Sequence, residues 1–201
     1  MARNARTEST GQLHALIDEL EQICRVVHPI DANFAAFGHA IRNIIILAST
    51  EVEAHWKNIL KANGEKARST KDYVKLTAPM KLGQYGVVLS YYPWIEPIFP
   101  FKGWVPNTPT KTLKWYESYN NIKHDRETNF AEATLLSALK AVTGCYVMLC
   151  AQYGRRYLEE DGGSSAFFQI IRVPHWEPAE IYVLPFGSQL KERHFPFQNS
   201  N

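Results

Sequence analysis

The sequence predicts a mainly α-helical single domain, a four-helix bundle decorated by short β segments. Three observations carry this. Apolar residues recur at helical spacing over long stretches before residue 65 and after residue 112. Those stretches are bounded by residues that start and stop helices. Between them, and again after residue 160, the pattern changes to short β-branched and aromatic runs broken by proline and glycine. A length of 201 residues with 45% apolar composition suits one domain over 1–201 with a sizeable core.

Each element has its own signal. Residues 1–8 read as a frayed tail. Ser9 and Gln12 fit a capping box that opens a first helix. Its apolar positions are Leu13, Leu16, Ile17, Leu20, Ile23 and Val27, and Pro29 ends it. Asp31 can cap a second helix of about eight turns. Its stripe runs from Phe34 and Phe37 through Ile41, Ile44, Ala48, Val52 and Trp56 to Leu60, with Gly64 as the stop. Residues 65–112 form an insertion. It holds a basic stretch from Lys66 to Lys81, a short helix near 70–76, and a small β-hairpin from the runs Tyr85–Tyr92 and Ile95–Phe101. Thr108 and Pro109 open a third helix that continues through Leu113, Tyr116 and Asn120 toward His124. A fourth helix restarts at Thr128 or Asn129, with Asn129 and Glu132 as a capping-box variant. It is apolar nearly all round through Leu149, the pattern of a buried helix, and Gly154 ends it. The C-terminal extension 160–201 holds a loop at 161–165 and short strands at 167–173 and 181–184. These strands pair with each other or with the 85–101 segment.

Composition excludes several function classes. Charged residues at 21% argue against disorder, and a net charge of +2 is too small to imply nucleic acid by itself. The cysteines Cys24, Cys145 and Cys150 are odd in number and match no metal knuckle, which points to a reducing compartment. The N-terminus has no apolar secretory core, and charge interrupts the apolar runs before they reach bilayer length. A cytoplasmic protein without membrane contact is the expectation. There is no glycine-rich phosphate loop, no HExxH pair and no Ser or Cys nucleophile elbow, so neither cofactor nor metal is predicted.

The segment Tyr119-Asn120-Asn121-Ile122-Lys123-His124-Asp125-Arg126 carries the chemistry. Tyr116, Asn120 and His124 share one helix face, with Lys123 beside it and Arg126 past the helix end. Histidine can act as general acid or base near neutral pH, and the two cations can steady phosphate charge. On the second helix, Glu51 is placed to orient His124 or Arg126 across the bundle, and Arg42 lies on a flank. The plain alternative is structural. Cations suit a helix C-terminus, Asn and Asp suit a turn, and Asn120, His124 and Glu51 would brace one another inside the bundle. The aromatics of 85–104 either stack bases or cover the bundle.

The run Ile41-Arg42-Asn43-Ile44-Ile45-Ile46-Leu47-Ala48-Ser49-Thr50-Glu51-Val52-Glu53 resembles the long second helix of HEPN-like bacterial proteins. The pattern Trp115-Tyr116-x-x-Tyr119-Asn120-x-Ile122-Lys123-His124-Asp125-Arg126, followed by Phe130 and a long apolar helix, resembles their last two core helices. The resemblance spans roughly residues 30–60 and 112–155. It implies an HEPN-like four-helix bundle that forms a homodimer, and an RNA-directed function. Many such proteins are metal-independent endoribonucleases of toxin–antitoxin or phage-defence systems, so RNA and an antitoxin or defence partner protein are the implied partners. Their motif is an arginine a few residues upstream of a histidine, and the two subunits bring these groups together. His124 matches the histidine. The upstream positions hold Glu117, Ser118 and Tyr119, so Arg126, Lys123 or Arg42 would have to stand in for the arginine. The implied catalytic set is His124, Arg126, Lys123, Asn120 and Glu51. Members with an incomplete motif serve as binding or scaffold modules, the second function the resemblance implies.

Overall fold

The computed structural model describes residues 2–160 and 163–176. In chain order these form α1 (Ala2–Val26), α2 (His39–Ala62), α3 (Thr70–Tyr73), β1 (Gly86–Leu89), α4 (Pro109–Thr112), α5 (Lys114–His124), α6 (Arg126–Asn129), α7 (Leu135–Tyr153), α8 (Arg155–Glu160), α9 (Gly163–Phe167) and β2 (Phe168–Arg172). The protein is mainly helical with a small two-stranded antiparallel sheet. Four longer helices form a bundle. α2 and α7 pack on each other at its centre, and α1 and α5 each contact both.

The helical stripes become the core. Leu13, Leu16, Ile17 and Leu20 of α1 are buried, as are Ile44, Ile45, Ala48, Val52 and Trp56 of α2. α7 is buried without a break from Ala141 to Ala151. By length and composition α7 is apolar enough to cross a membrane, but 83% of its apolar window is buried inside the protein. Its apolar surface is therefore covered by the other helices. Trp56 sits where α2 meets the insertion. Its ring centroid lies 4.8 Å from that of Trp104, 5.2 Å from Tyr116 and 5.3 Å from Tyr73. Such aromatic pairs add about 0.5–1.5 kcal/mol each beyond area burial. α7 ends at Gly154, whose φ of 92° is a conformation that side chains rarely adopt.

Several boundaries differ from the sequence expectations. α1 starts at Ala2, not at Ser9, so residues 2–8 are helical. Alanine and arginine are strong helix formers, and α9 packs against α1. Asp31 lies in a 3-10 turn, and α2 begins only at His39. The intervening chain is occupied elsewhere, because the carbonyls of Ala36 and Phe34 accept the amides of Leu135 (2.8 Å) and Leu136 (3.2 Å) at the start of α7. The third helix is split at Leu113, whose φ of −106° and ψ of 79° leave the helical region. Trp104 Nε1 takes the carbonyl of Pro109 at 3.0 Å, and the Thr112 hydroxyl takes that of Thr108 at 3.1 Å, so α4 is closed off locally. The fourth long helix opens at Leu135 with Thr134 as N-cap, its oxygen accepting the Ser137 amide. Asn129 and Glu132 belong to the turns before it.

The predicted hairpin inside the insertion does not form. β1 pairs with β2, in register from Val87 opposite Ile170 to Leu89 opposite Phe168. The 95–101 run gives β1 only an isolated bridge, Val87 to Ile98. Pro93, Pro97 and Pro100 remove the amides a second strand needs. Residues 163–165 are helical where a loop was expected. The expected strand at 181–184 lies outside the described residues.

Candidate functional site

The α5–α6 junction is built from a helix that starts in the core and ends outside it. Trp115, Tyr116, Tyr119 and Ile122 are buried against α2 and α7, while Lys123, His124 and Asp125 are exposed. Asp125 closes α5 and caps α6, its Oδ1 accepting the Thr128 amide at 3.2 Å. Asn121 Nδ2 donates to Glu132 Oε2 at 2.8 Å and ties α5 to the next turn. His124 is thus the last residue of α5, and among the described residues no hydrogen bond or ion pair engages its imidazole.

The five sequence-predicted residues do not all meet. Lys123 folds back on its own helix, its Nζ donating to Tyr119 Oη at 2.8 Å and lying 4.9 Å from that ring's centroid. This hydrogen bond holds its ammonium above the ordinary lysine range. Asn120 turns inward, its Nδ2 donating to the Tyr116 carbonyl at 3.1 Å. Glu51 makes no hydrogen bond or ion pair with His124, Lys123 or Asn120. It stands half-buried near Cys145 of α7, and burial raises its carboxyl. The expected brace of Asn120, His124 and Glu51 is therefore absent. Arg126 opens α6, and its side chain lies outside the described part of the structure. Arg42 sits in the first turns of α2, where its guanidinium reaches Asn43 Oδ1 at 3.4 Å.

A different polar joint connects α2 to α5. The buried Tyr116 hydroxyl donates to Glu53 Oε1, and Lys57 Nζ donates to Glu53 Oε2 at 3.2 Å. Glu53 is 15% exposed, so its charge needs those donors. Burial, and then the bond to Glu53, pushes the Tyr116 phenol far above its ordinary range. Tyr119 packs beside Tyr116 with ring centroids 5.3 Å apart, which joins Lys123 to the same group. Spacing had a signal here: Glu53 and Lys57 are four apart, and Tyr116, Tyr119 and Lys123 follow at i, i+3 and i+7. A second buried joint pairs His55 Nδ1 with Gln152 Oε1 at 3.2 Å, between α2 and α7.

Elsewhere, a cavity of about 400 Å³ lies between the 3-10 turn at Asp31 and α7. Phe34, Pro97, Phe99 and Leu136 line it together with Lys102 and Lys140, and none of the predicted site residues does. Of the 85–104 aromatics, Phe101 and Trp104 cover the bundle at Trp56, whereas Tyr91 and Trp94 are 54% and 52% exposed. Among the described residues no three His, Cys, Asp or Glu side chains are grouped to hold a metal ion. In comparisons with known proteins, the chain matches no family model, no curated protein and no solved structure.

Proposed function

We propose that this chain is an HEPN-like, RNA-directed protein of the cytoplasm, a metal-independent endoribonuclease acting as a homodimer in a toxin or phage-defence system. The supporting observation is the tip of α5. An exposed imidazole with no hydrogen-bond or ion-pair partner among the described residues, His124, directly follows an ammonium anchored to a buried tyrosine, Lys123. An acid–base group and a fixed cation, side by side and open to solvent, suit attack of an RNA 2′-hydroxyl on its neighbouring phosphate. In this reading His124 takes the hydroxyl proton or returns one to the departing 5′-oxygen. Lys123 and Arg126 meet the phosphate charge, and a second subunit supplies the groups that one chain lacks. An antitoxin or another defence protein would be its macromolecular partner.

The test is cleavage of end-labelled RNA with and without a chelator. His124→Ala should lower the rate by two to four orders of magnitude, the usual worth of a placed acid–base group. Cleavage by His124→Ala at the parental rate would end the catalytic assignment. A second reading has its own observation, the inward turn of Asn120 and the separate position of Glu51. In that reading the tip binds RNA without cleaving it, as a non-catalytic binding or scaffold module. RNA binding without any turnover of the parent protein selects it.

A further inference from the structure

The polar joint at Glu53 carries one more positive charge than it needs. A single carboxylate stands near two ammonium groups. Lys57 meets Glu53 Oε2 directly at 3.2 Å. Lys123 finds only a phenol oxygen, Tyr119 Oη at 2.8 Å. The two cations are close enough that Lys57 works against the charge on Lys123, while Glu53 favours it. The other oxygen of Glu53 accepts the buried Tyr116 hydroxyl, which holds the carboxylate toward the core. Neither ammonium is sealed off: Lys57 is 39% exposed at its side chain, and Lys123 is exposed. Each has three donors, which Lys57 directs to Glu53 and toward Tyr73 and Lys123 to Tyr119, so each keeps a donor for a further acceptor. The excess is one unit, the charge of one phosphodiester.

We infer that Lys57 of α2 is a second phosphate-contacting cation of this site, and that a backbone phosphate of single-stranded RNA is held between Lys57 and Lys123. The inference rests on the RNA-directed reading above and extends it to a residue on another helix. Glu53, Tyr116 and Tyr119 are positioning residues. They hold the two stems at a fixed separation, so less side-chain freedom is lost on binding than two mobile surface lysines would lose. The ammonium–phosphate contact is sequence-independent, which suits binding of RNA by its backbone.

The test is anisotropy of a fluorescein-labelled 2′-O-methyl RNA oligonucleotide, which lacks the attacking hydroxyl, measured across a potassium chloride series with the full chain. Lys57→Ala and Lys123→Ala should each weaken binding several-fold at low salt, and the two losses together should reduce the steepness of the log–log salt dependence by about 0.7, the value for one phosphate. Tyr119→Phe should weaken binding while leaving the slope unchanged, because the charge stays and only its placement is lost. Should Lys57→Ala fail to fold, the double variant Glu53→Gln with Lys57→Met removes cation and counter-charge together, so the excess of one unit stays on Lys123 and binding should weaken several-fold with the slope kept. Binding by Lys57→Ala with parental affinity and slope, alongside loss in Lys123→Ala, overturns the inference and leaves the RNA-directed reading standing. A parent protein that does not bind the oligonucleotide overturns that reading, and this inference with it.

Discussion

Tyr116 and His124 stand about two turns apart on one face of α5, and one ends in the core while the other ends in solvent. Tyr116 is 2% exposed and its hydroxyl is taken by Glu53. His124 is exposed with no partner among the described residues. The same face thus serves as a structural joint at one end and as an open chemical tip at the other. Helical periodicity reports which side chains are in line. It does not report where a helix passes the edge of its neighbours, and that edge decides whether a polar group braces the fold or faces a ligand.

Removing the buried joint should have the largest effect. Glu53→Ala strands the Tyr116 hydroxyl in the core and leaves Lys57 without its acceptor, so it should cost about 1–3 kcal/mol in a urea titration. Glu53→Gln, which keeps an acceptor, should cost less. Equal stability of Glu53→Ala and the parent would show that the joint is not a structural one.

The His55–Gln152 joint should show itself through pH. Burial holds the His55 imidazole below its ordinary range, and the bond to Gln152 opposes this only in part. The unfolded chain therefore binds a proton that the folded chain resists. The stability this provides is fully present above about pH 6.5 and is lost as pH falls below it. His55→Asn should shrink the drop in Tm between pH 7.5 and pH 5.5 by about 2–4 °C. Parallel pH profiles of variant and parent would remove His55 as the cause. The smallest effect belongs to the tip, where His124→Ala should shift stability by no more than about 0.5 kcal/mol. A larger loss in its denaturation midpoint would place His124 in the fold and dissolve the contrast with Tyr116.

Much of the bundle was legible before any coordinates. The stripe from Ile41 to Leu60 and the all-round apolar run of α7 are strong periodic signals, and burial follows them residue by residue. The misreadings have local physical causes. The break at Leu113 comes from Trp104 and Thr112 capturing carbonyls of α4, which no helical pattern encodes. α7 opens at Leu135, after its N-cap Thr134, where the segment around Phe34–Phe37 pairs with it from far away in sequence. The sequence reading places Glu51 toward α5, and the carboxylate that meets Tyr116 of α5 is Glu53, for a geometric reason. Two positions on a helix differ by about 200° in direction, and only the packing of α5 tells which of the two carboxylates meets it. His124 and Lys123 could be singled out because residue type alone marks them. Lys57 could not, since it reads as the ordinary second half of an i, i+4 surface pair with Glu53.

The pairing of β1 with β2 sets an order of events during synthesis. Gly86–Leu89 emerges early, but its partner Phe168–Arg172 follows only after α4 through α9. Until then the strand presents an unpaired edge, open to other chains. The bundle helices meanwhile have all left the ribosome and can pack. The last described strand therefore acts as a latch. It fastens the insertion to the bundle, with Phe168 stacked on Tyr146 of α7, and a chain that stops before residue 168 lacks the strand that pairs with β1.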